Sequence, residues 1–177
     1  LKIMKSINKN LNFYLFDPVI KNKFKNDKTK IFDFALSDKN SNKILFMPYY
    51  KGINLDSLNS FEINNIMKYK KKYLKNLNIK IIKKIVKTFT LDSLNLKSDF
   101  IKLDVENHEL EVLKGGKQHL KKNKPVILLE NNKKIRKVSL FLKSINYSPY
   151  RISKNGFTKN KNLLGDDIFF FHRSKNI

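Results

Sequence analysis

DFIKLDVENHELEVLKGGKQHLKKNKPVILLEN, residues Asp99–Asn131, decides how this chain is to be read. Phe100–Val105 has the length and apolar content of a strand. Glu109–Lys121 has helical spacing, broken at Gly115-Gly116, and Val126–Leu129 is a short buried strand after Pro125. Five of the chain's 15 acidic residues (Asp99, Asp104, Glu106, Glu109 and Glu111) fall within this stretch before Val112. They stand where a strand hands over to a helix. In open α/β sheets the crevice beyond the carboxyl ends of the strands is where ligands bind. Acid collected there, in a chain of net charge +23, marks a candidate site.

Outward from this core the alternation continues. Asn12–Phe16 is an apolar run closed by Asp17-Pro18, and Lys30–Leu36 alternates like a strand. Lys43–Met47 reads as a third strand cut by Pro48. Leu1–Ile7 resembles the last turns of a helix, and Val19–Phe24 has the spacing of a short one. Ile135–Ile145 is amphipathic, with Val138, Phe141, Leu142 and Ile145 on one stripe. Tyr147–Ile152 and Ile168–His172 complete the strands. Strands separated by helices of this length predict an α/β fold with a largely parallel sheet, in one domain spanning 1–177. Residues 49–87 form a basic insertion within it. No carboxylate occurs between Ile63 and Leu91, and a helix there would bring Tyr69 and Tyr73 to one face.

Composition narrows the function. The charge invites nucleic acid, yet only Arg136, Arg151 and Arg173 are arginines among 38 basic residues. Arginine is the residue favoured for bidentate phosphate and base contacts, so nucleic acid is not the expected partner. The excess of Lys, Asn and Ile follows the drift of an AT-rich coding sequence. No apolar run is long enough to span a membrane. Cys is absent, which excludes disulfides and thiolate metal sites and suits a reducing cytoplasm, the expected location. Three scattered histidines give no metal-ligand spacing, so no metal is expected.

If Phe100–Val105 stays extended through Glu106, then Lys102, Asp104 and Glu106 share one face. The ordered run D-F-I-K-x-D-V-E, then Glu109, Leu113, Gly115, Lys124-Pro125 and Glu130, closely resembles the FkbM-type methyltransferase family. Phe16-Asp17-Pro18, Ala35-Leu36-Ser37-Asp38 and Thr90-Leu91-Asp92-Ser93-Leu94 fit the same pattern upstream. The resemblance covers about residues 12–131. It implies a Rossmann-like class I methyltransferase sheet, S-adenosylmethionine as cofactor, and O-methylation of a hydroxyl on a sugar, glycolipid or secondary metabolite.

The resemblance also assigns residues. Asp17 would grip the cofactor's ribose, with Ser37 and Asp38 near the adenine and Asp104 near the methionine part. Asp104, Glu106 and His108 are the candidate catalytic groups for taking the acceptor's proton, and Glu130 the candidate acceptor contact. Glu109 and Glu111 read as helix-start charges. Asn107 stands where the family has Gly, in a position suited to a left-handed backbone. The family's first strand and its D-x-G-x-N-x-G loop have no counterpart before Asn12, since the first glycine is Gly52. The resemblance therefore makes this stretch the carboxyl-terminal portion of a longer enzyme, inactive alone. Two other readings remain open: a basic module for nucleic acid or an anionic surface, and a non-catalytic scaffold with the methyltransferase fold.

Overall fold

The computed structural model describes residues 11–19 and 28–175. The helix tail expected at Leu1–Ile7 lies outside them, as does the helix expected at Val19–Phe24 beyond Val19 itself. Eleven strands run in chain order among the described residues: β1 (Phe13–Phe16), β2 (Thr29–Phe32), β3 (Ala35–Leu36), β4 (Ser41–Tyr50), β5 (Ile53–Asn54), β6 (Lys80–Phe89), β7 (Phe100–Leu103), β8 (Val126–Glu130), β9 (Tyr147–Ser153), β10 (Gly156–Lys159) and β11 (Asp167–His172). The α-helices are α1 (Ile63–Tyr73), α2 (Glu109–Gly115), α3 (Lys117–Asn123) and α4 (Ile135–Ser144).

The strands form three sheets rather than one. β1 and β2 pair in parallel. The order β3-β6-β4-β5 makes a second sheet and β10-β9-β11-β8-β7 a third. The expectation of a largely parallel sheet is corrected in the third, where only β7 and β8 run parallel. β11 is antiparallel to both β8 and β9, and β10 to β9. The physical reason lies in the connections. Helical crossovers return the chain for a parallel strand, whereas β9 reaches β10 through a tight turn, which only an antiparallel pair accepts.

Three local expectations also change. The strand expected at Lys30–Leu36 breaks at Asp33-Phe34, because the chain there leaves β1's side and joins β6. Phe34 fills the step, its ring 5.3 Å from Phe32 and 4.6 Å from Phe89. Pro48 does not cut its strand; β4 runs on through it to Tyr50. The Pro48 carbonyl accepts the Leu55 amide, so its missing N–H faces the same side, where β5 pairs only from Tyr49 onward. β7 ends at Leu103, short of the expected Val105.

The main core lies between the five-stranded sheet and α2–α4. Leu120, Ile127, Leu129, Leu142, Ile168 and Phe170 are fully buried there. The stripe predicted on α4 faces this core through Val138 and Leu142, and the Tyr147 hydroxyl donates to the Leu120 carbonyl at 3.2 Å. A smaller cluster of Leu45, Met47 and Val86 serves the β4–β6 sheet. Within the basic stretch, α1 carries Tyr69 and Tyr73 with ring centroids 4.7 Å apart, both exposed. No helix among the described residues is long and apolar enough to cross a membrane.

The break between α2 and α3 falls where two layers touch. A Cβ on Gly115 would lie 2.0 Å from the Ser37 carbonyl oxygen, closer than any real contact. Only glycine lets α2 approach the β3–β4 turn this closely. Gly115→Ala should therefore destabilise the protein by about 2 kcal/mol or more, because backbone meets backbone and neither yields cheaply. Urea unfolding would read it as a lower midpoint at unchanged m-value.

Candidate functional site

Beyond Leu103 the chain reverses into α2 within five residues. It does so through two successive left-handed residues, Glu106 at φ 48° and Asn107 at φ 71°. Glu106 therefore does not extend the strand, and the expected shared face with Lys102 and Asp104 is corrected. Asn107 tolerates this conformation and Glu106 does so at a cost of roughly 1–2 kcal/mol. The cost is met because three neighbours hold the turn. Glu109 Oε1 accepts the Asn107 amide at 3.2 Å, Lys134 Nζ donates to the Asn107 carbonyl at 2.8 Å, and Ser60 Oγ reaches the Glu106 carbonyl at 3.5 Å. Lys134 also pairs with Glu62.

This turn sets out the expected catalytic residues differently. Asp104 is exposed and bonded to Lys102 at 3.1 Å, an exposed pair that contributes little. Glu106 is half-buried, and its carboxyl is pushed up to about 7 by burial first, then by the negative charges of Asp104, Glu130 and Glu109. Glu109 is almost wholly buried, and its Oε2 has no hydrogen-bond partner. Helix-start charge alone would leave this group in water, so its burial is more than that expectation.

His108 is buried, with its ring centroid 4.7 Å from that of Phe61. Its Nε2 lies 3.0 Å from Ser37 Oγ, and its Nδ1 is 3.8 Å from Glu111 Oε2, beyond hydrogen-bond range. Ser37 is fully buried; it accepts from Lys43 Nζ at 2.8 Å and donates to Asp38 Oδ1 at 3.0 Å. Burial, followed by the charge of Lys43, pushes His108 down to about 4 despite Glu111 and Asp38, so it is neutral at pH 7. Burial acts to raise Asp38, but its bonds to Ser37 and Lys43 and the Lys43 charge outweigh it and hold the carboxyl below its ordinary value.

The structure thus joins Ser37, Asp38 and His108, which are 71 positions apart at the Ser37–His108 bond. Asp17 belongs to a different local structure. At the end of β1 its amide donates to the Phe32 carbonyl, and its Oδ1 accepts the Val19 amide at 2.8 Å. Glu130 closes β8 exposed, level with Asp167 of β11. Sequence reasoning missed Lys43, Lys134, Ser60 and Asp167. Lys43 carried a signal, because it alternates with Leu45 and Met47 on the buried face of β4. Asp167 was visible as acid at the mouth of an apolar strand, but its partner is 37 residues away.

A family model for the methyltransferase FkbM domain matches residues 7–149. A crystal structure of methyltransferase FkbM from Methylobacillus flagellatus KT superposes with a TM-score of 0.55 at 10% sequence identity. The superposition covers 95% of this chain and 39% of that one, so this chain spans well under half the length of that protein. Identity this low speaks for a shared mixed α/β fold. No curated protein matches the chain.

The neutral, buried His108 has a consequence for stability. The unfolded chain takes up a proton near pH 6.5 and the folded one only near 4, so stability present above 6.5 is lost as the pH falls through 4. His119 and His172 are shifted the same way. His108→Gln should flatten the acid slope of unfolding free energy by on the order of 2 kcal/mol without abolishing it. Denaturant titrations at pH 4.5, 5.5 and 7 would show this, and an unchanged slope would place His108 in contact with solvent.

Proposed function

The chain belongs to the FkbM methyltransferase family, and on that footing we propose that it forms part of an S-adenosylmethionine-dependent enzyme that methylates a hydroxyl, with Glu106 as the base. The observation that carries this is the Glu106 carboxyl, raised to about 7 on a turn held from three sides. A general base works best when its pKa lies near the working pH. His108, pushed down to about 4, is too weak a base for that task and too enclosed to meet an acceptor. Its place is behind the turn, linking α2 to Ser37.

The residues present fit part of the cofactor. S-adenosylmethionine, when bound, supplies an electrophilic methyl group on a positively charged sulfur. Asp104, Glu106 and the unpartnered Glu109 oxygen offer the negative field that suits such a cation. In this reading Asp17, at the end of β1, accepts from the ribose, and Asp38, more open than Ser37, is the side chain of that pair that meets the nucleoside. Ser37, fully buried with its hydroxyl engaged, positions Asp38 rather than touching a ligand.

Within this reading the acceptor hydroxyl lies against Glu106, which takes its proton as oxygen becomes the nucleophile. Lys134 and Ser60 fix the turn, so the carboxyl is oriented before the acceptor arrives and little rearrangement is needed. Glu130 contacts the acceptor from the end of β8. We infer further that a strand carrying a glycine-rich loop pairs with β7. Among the described residues β7 has a neighbour on one edge only, and β1 pairs only with β2. A sugar, a glycolipid or a secondary metabolite would supply the hydroxyl.

Isothermal titration of the full-length protein with S-adenosylmethionine is the first test, and a folded protein that gives no binding heat overturns the reading. Glu106→Gln should keep cofactor binding while lowering turnover about 100-fold or more, and should remove the rise of rate with pH through about 7. The same variant has a signature in stability. A carboxyl raised from 4.5 to about 7 stabilises the fold most below pH 4.5, and that contribution is lost as pH rises through 7. Because the histidines act in the opposite direction over the same range, the readout is the difference: between pH 5 and 8 the melting temperature of the wild type should drop relative to that of Glu106→Gln.

A further inference from the structure

Ser37 has more partners than its one proton can serve. A serine hydroxyl carries a single hydrogen and two lone pairs. Lys43 Nζ donates to it at 2.8 Å, so one lone pair is taken. The hydrogen has two acceptors within reach, Asp38 Oδ1 and His108 Nε2, each at 3.0 Å. Bulk water offers no third, because Ser37 is fully buried and His108 is 7% exposed. The Gly115 backbone against the Ser37 carbonyl and the Phe61 ring against that of His108 hold both groups in place.

Two arrangements follow from this count. In the first, Ser37 donates to Asp38, and His108, neutral at pH 7, carries its proton on Nε2 and donates to Ser37. Nδ1 is then a bare lone pair, 3.8 Å from Glu111 Oε2. That oxygen is itself buried and has no hydrogen-bond partner. In the second, Ser37 turns its proton to Nε2, and the histidine carries its own on Nδ1, facing Glu111. The first gives Asp38 one more bond, and a bond to a charged acceptor favours it by roughly tenfold or more. A ligand that donates to Asp38 removes that advantage, while the attraction between Nδ1–H and Glu111 remains. Asp38 is open to such a ligand, its side chain being 33% exposed.

We propose that Ser37 is a positioning residue that reports the occupancy of Asp38 to His108: a donor arriving at Asp38 turns the Ser37 hydroxyl toward Nε2 and shifts the histidine to its Nδ1–H form, opposite Glu111. The proposal rests on the reading of Asp38 as a nucleoside contact and adds what its occupancy does. His108 releases the proton on Nε2 and takes one at Nδ1, so its charge is unchanged. The effect falls at the start of α2, because His108 directly follows the Glu106–Asn107 turn and Glu111 lies three residues on. Binding at the cofactor end thus gives Glu111 the donor it lacks, one helical turn from the candidate base.

Long-range proton–nitrogen NMR of the full-length protein at pH 7 tells the two tautomers apart. The free wild type should hold His108 in the Nε2–H form by about tenfold. Asp38→Ala leaves the Ser37 proton no acceptor but the imidazole, and should convert His108 to the Nδ1–H form with no ligand present. Ser37→Ala should do the same, because Glu111 alone then selects the nitrogen; circular dichroism checks that both variants fold. A bond that only ties Ser37 to α2 would leave the tautomer indifferent to Asp38. In the wild type S-adenosylmethionine should drive the same conversion, and in Ser37→Ala it should change nothing further. A free wild type already in the Nδ1–H form overturns the inference, as does a folded Asp38→Ala variant that keeps Nε2–H. Bound S-adenosylmethionine that leaves the wild-type tautomer unchanged overturns it as well. S-adenosylmethionine that fails to bind overturns the methyltransferase reading instead, and the free wild type and Asp38→Ala still decide the switch.

Discussion

The approach of Gly115 to the Ser37 carbonyl is the constraint on which the rest of this structure depends. It is the point where α2, which grows out of the five-stranded sheet, touches the turn between β3 and β4 of another sheet. Once the backbones meet there, His108 at the start of α2 comes within hydrogen-bond distance of Ser37. Through Ser37 the contact extends to Lys43 and Asp38. The buried polar chain is satisfied because packing brings the backbones together first. An isolated Ser–His pair would not repay the desolvation of both groups.

The same contact orders the turn on the other side of His108. Glu106 and Asn107 adopt left-handed backbone because the chain must leave β7 and enter α2 with its first residues already fixed by the core. Strain of this kind persists only where the surroundings over-determine it. Here Lys134 from the start of α4 and Ser60 from before α1 supply the restraint. The turn therefore couples three segments distant in sequence, and the half-buried carboxyl it displays is held by all of them.

Much of this was legible from the residues. The strand–helix–strand order of Asp99–Glu130, the break at Gly115-Gly116 and the apolar stripe of α4 follow from period and punctuation alone. Asn107 was recognised as a left-handed position, and it is one. The limits of legibility are equally physical. Sheet partnership is a long-range property, so neither the division into three sheets nor the antiparallel course of β11 could be read from local pattern. Pro48 continues a strand because of which edge its nitrogen faces, and a linear sequence does not show edges. Lys43 stood out only through its alternation with Leu45 and Met47, and Lys134 looked like one more lysine in a lysine-rich chain. Their roles arise from burial and from partners 6 and 27 residues away.

The electrostatics divide the labour between the two titratable groups flanking Asn107. Burial, helped by the charge of Lys43, keeps His108 neutral, while the bonds from Ser37 and Lys43 hold Asp38 ionised against its own burial. Burial first, and then the negative charges of Asp104, Glu130 and Glu109, hold a proton on Glu106 until near pH 7. A base needs affinity for a proton, and about three pKa units in that affinity favour the carboxyl over the imidazole. The histidine, although the residue type more often found in such a position, has been left too poor a base by burial and by a lysine. In the function proposed above, proton transfer therefore falls to the group that the like-charged crowd around it penalises.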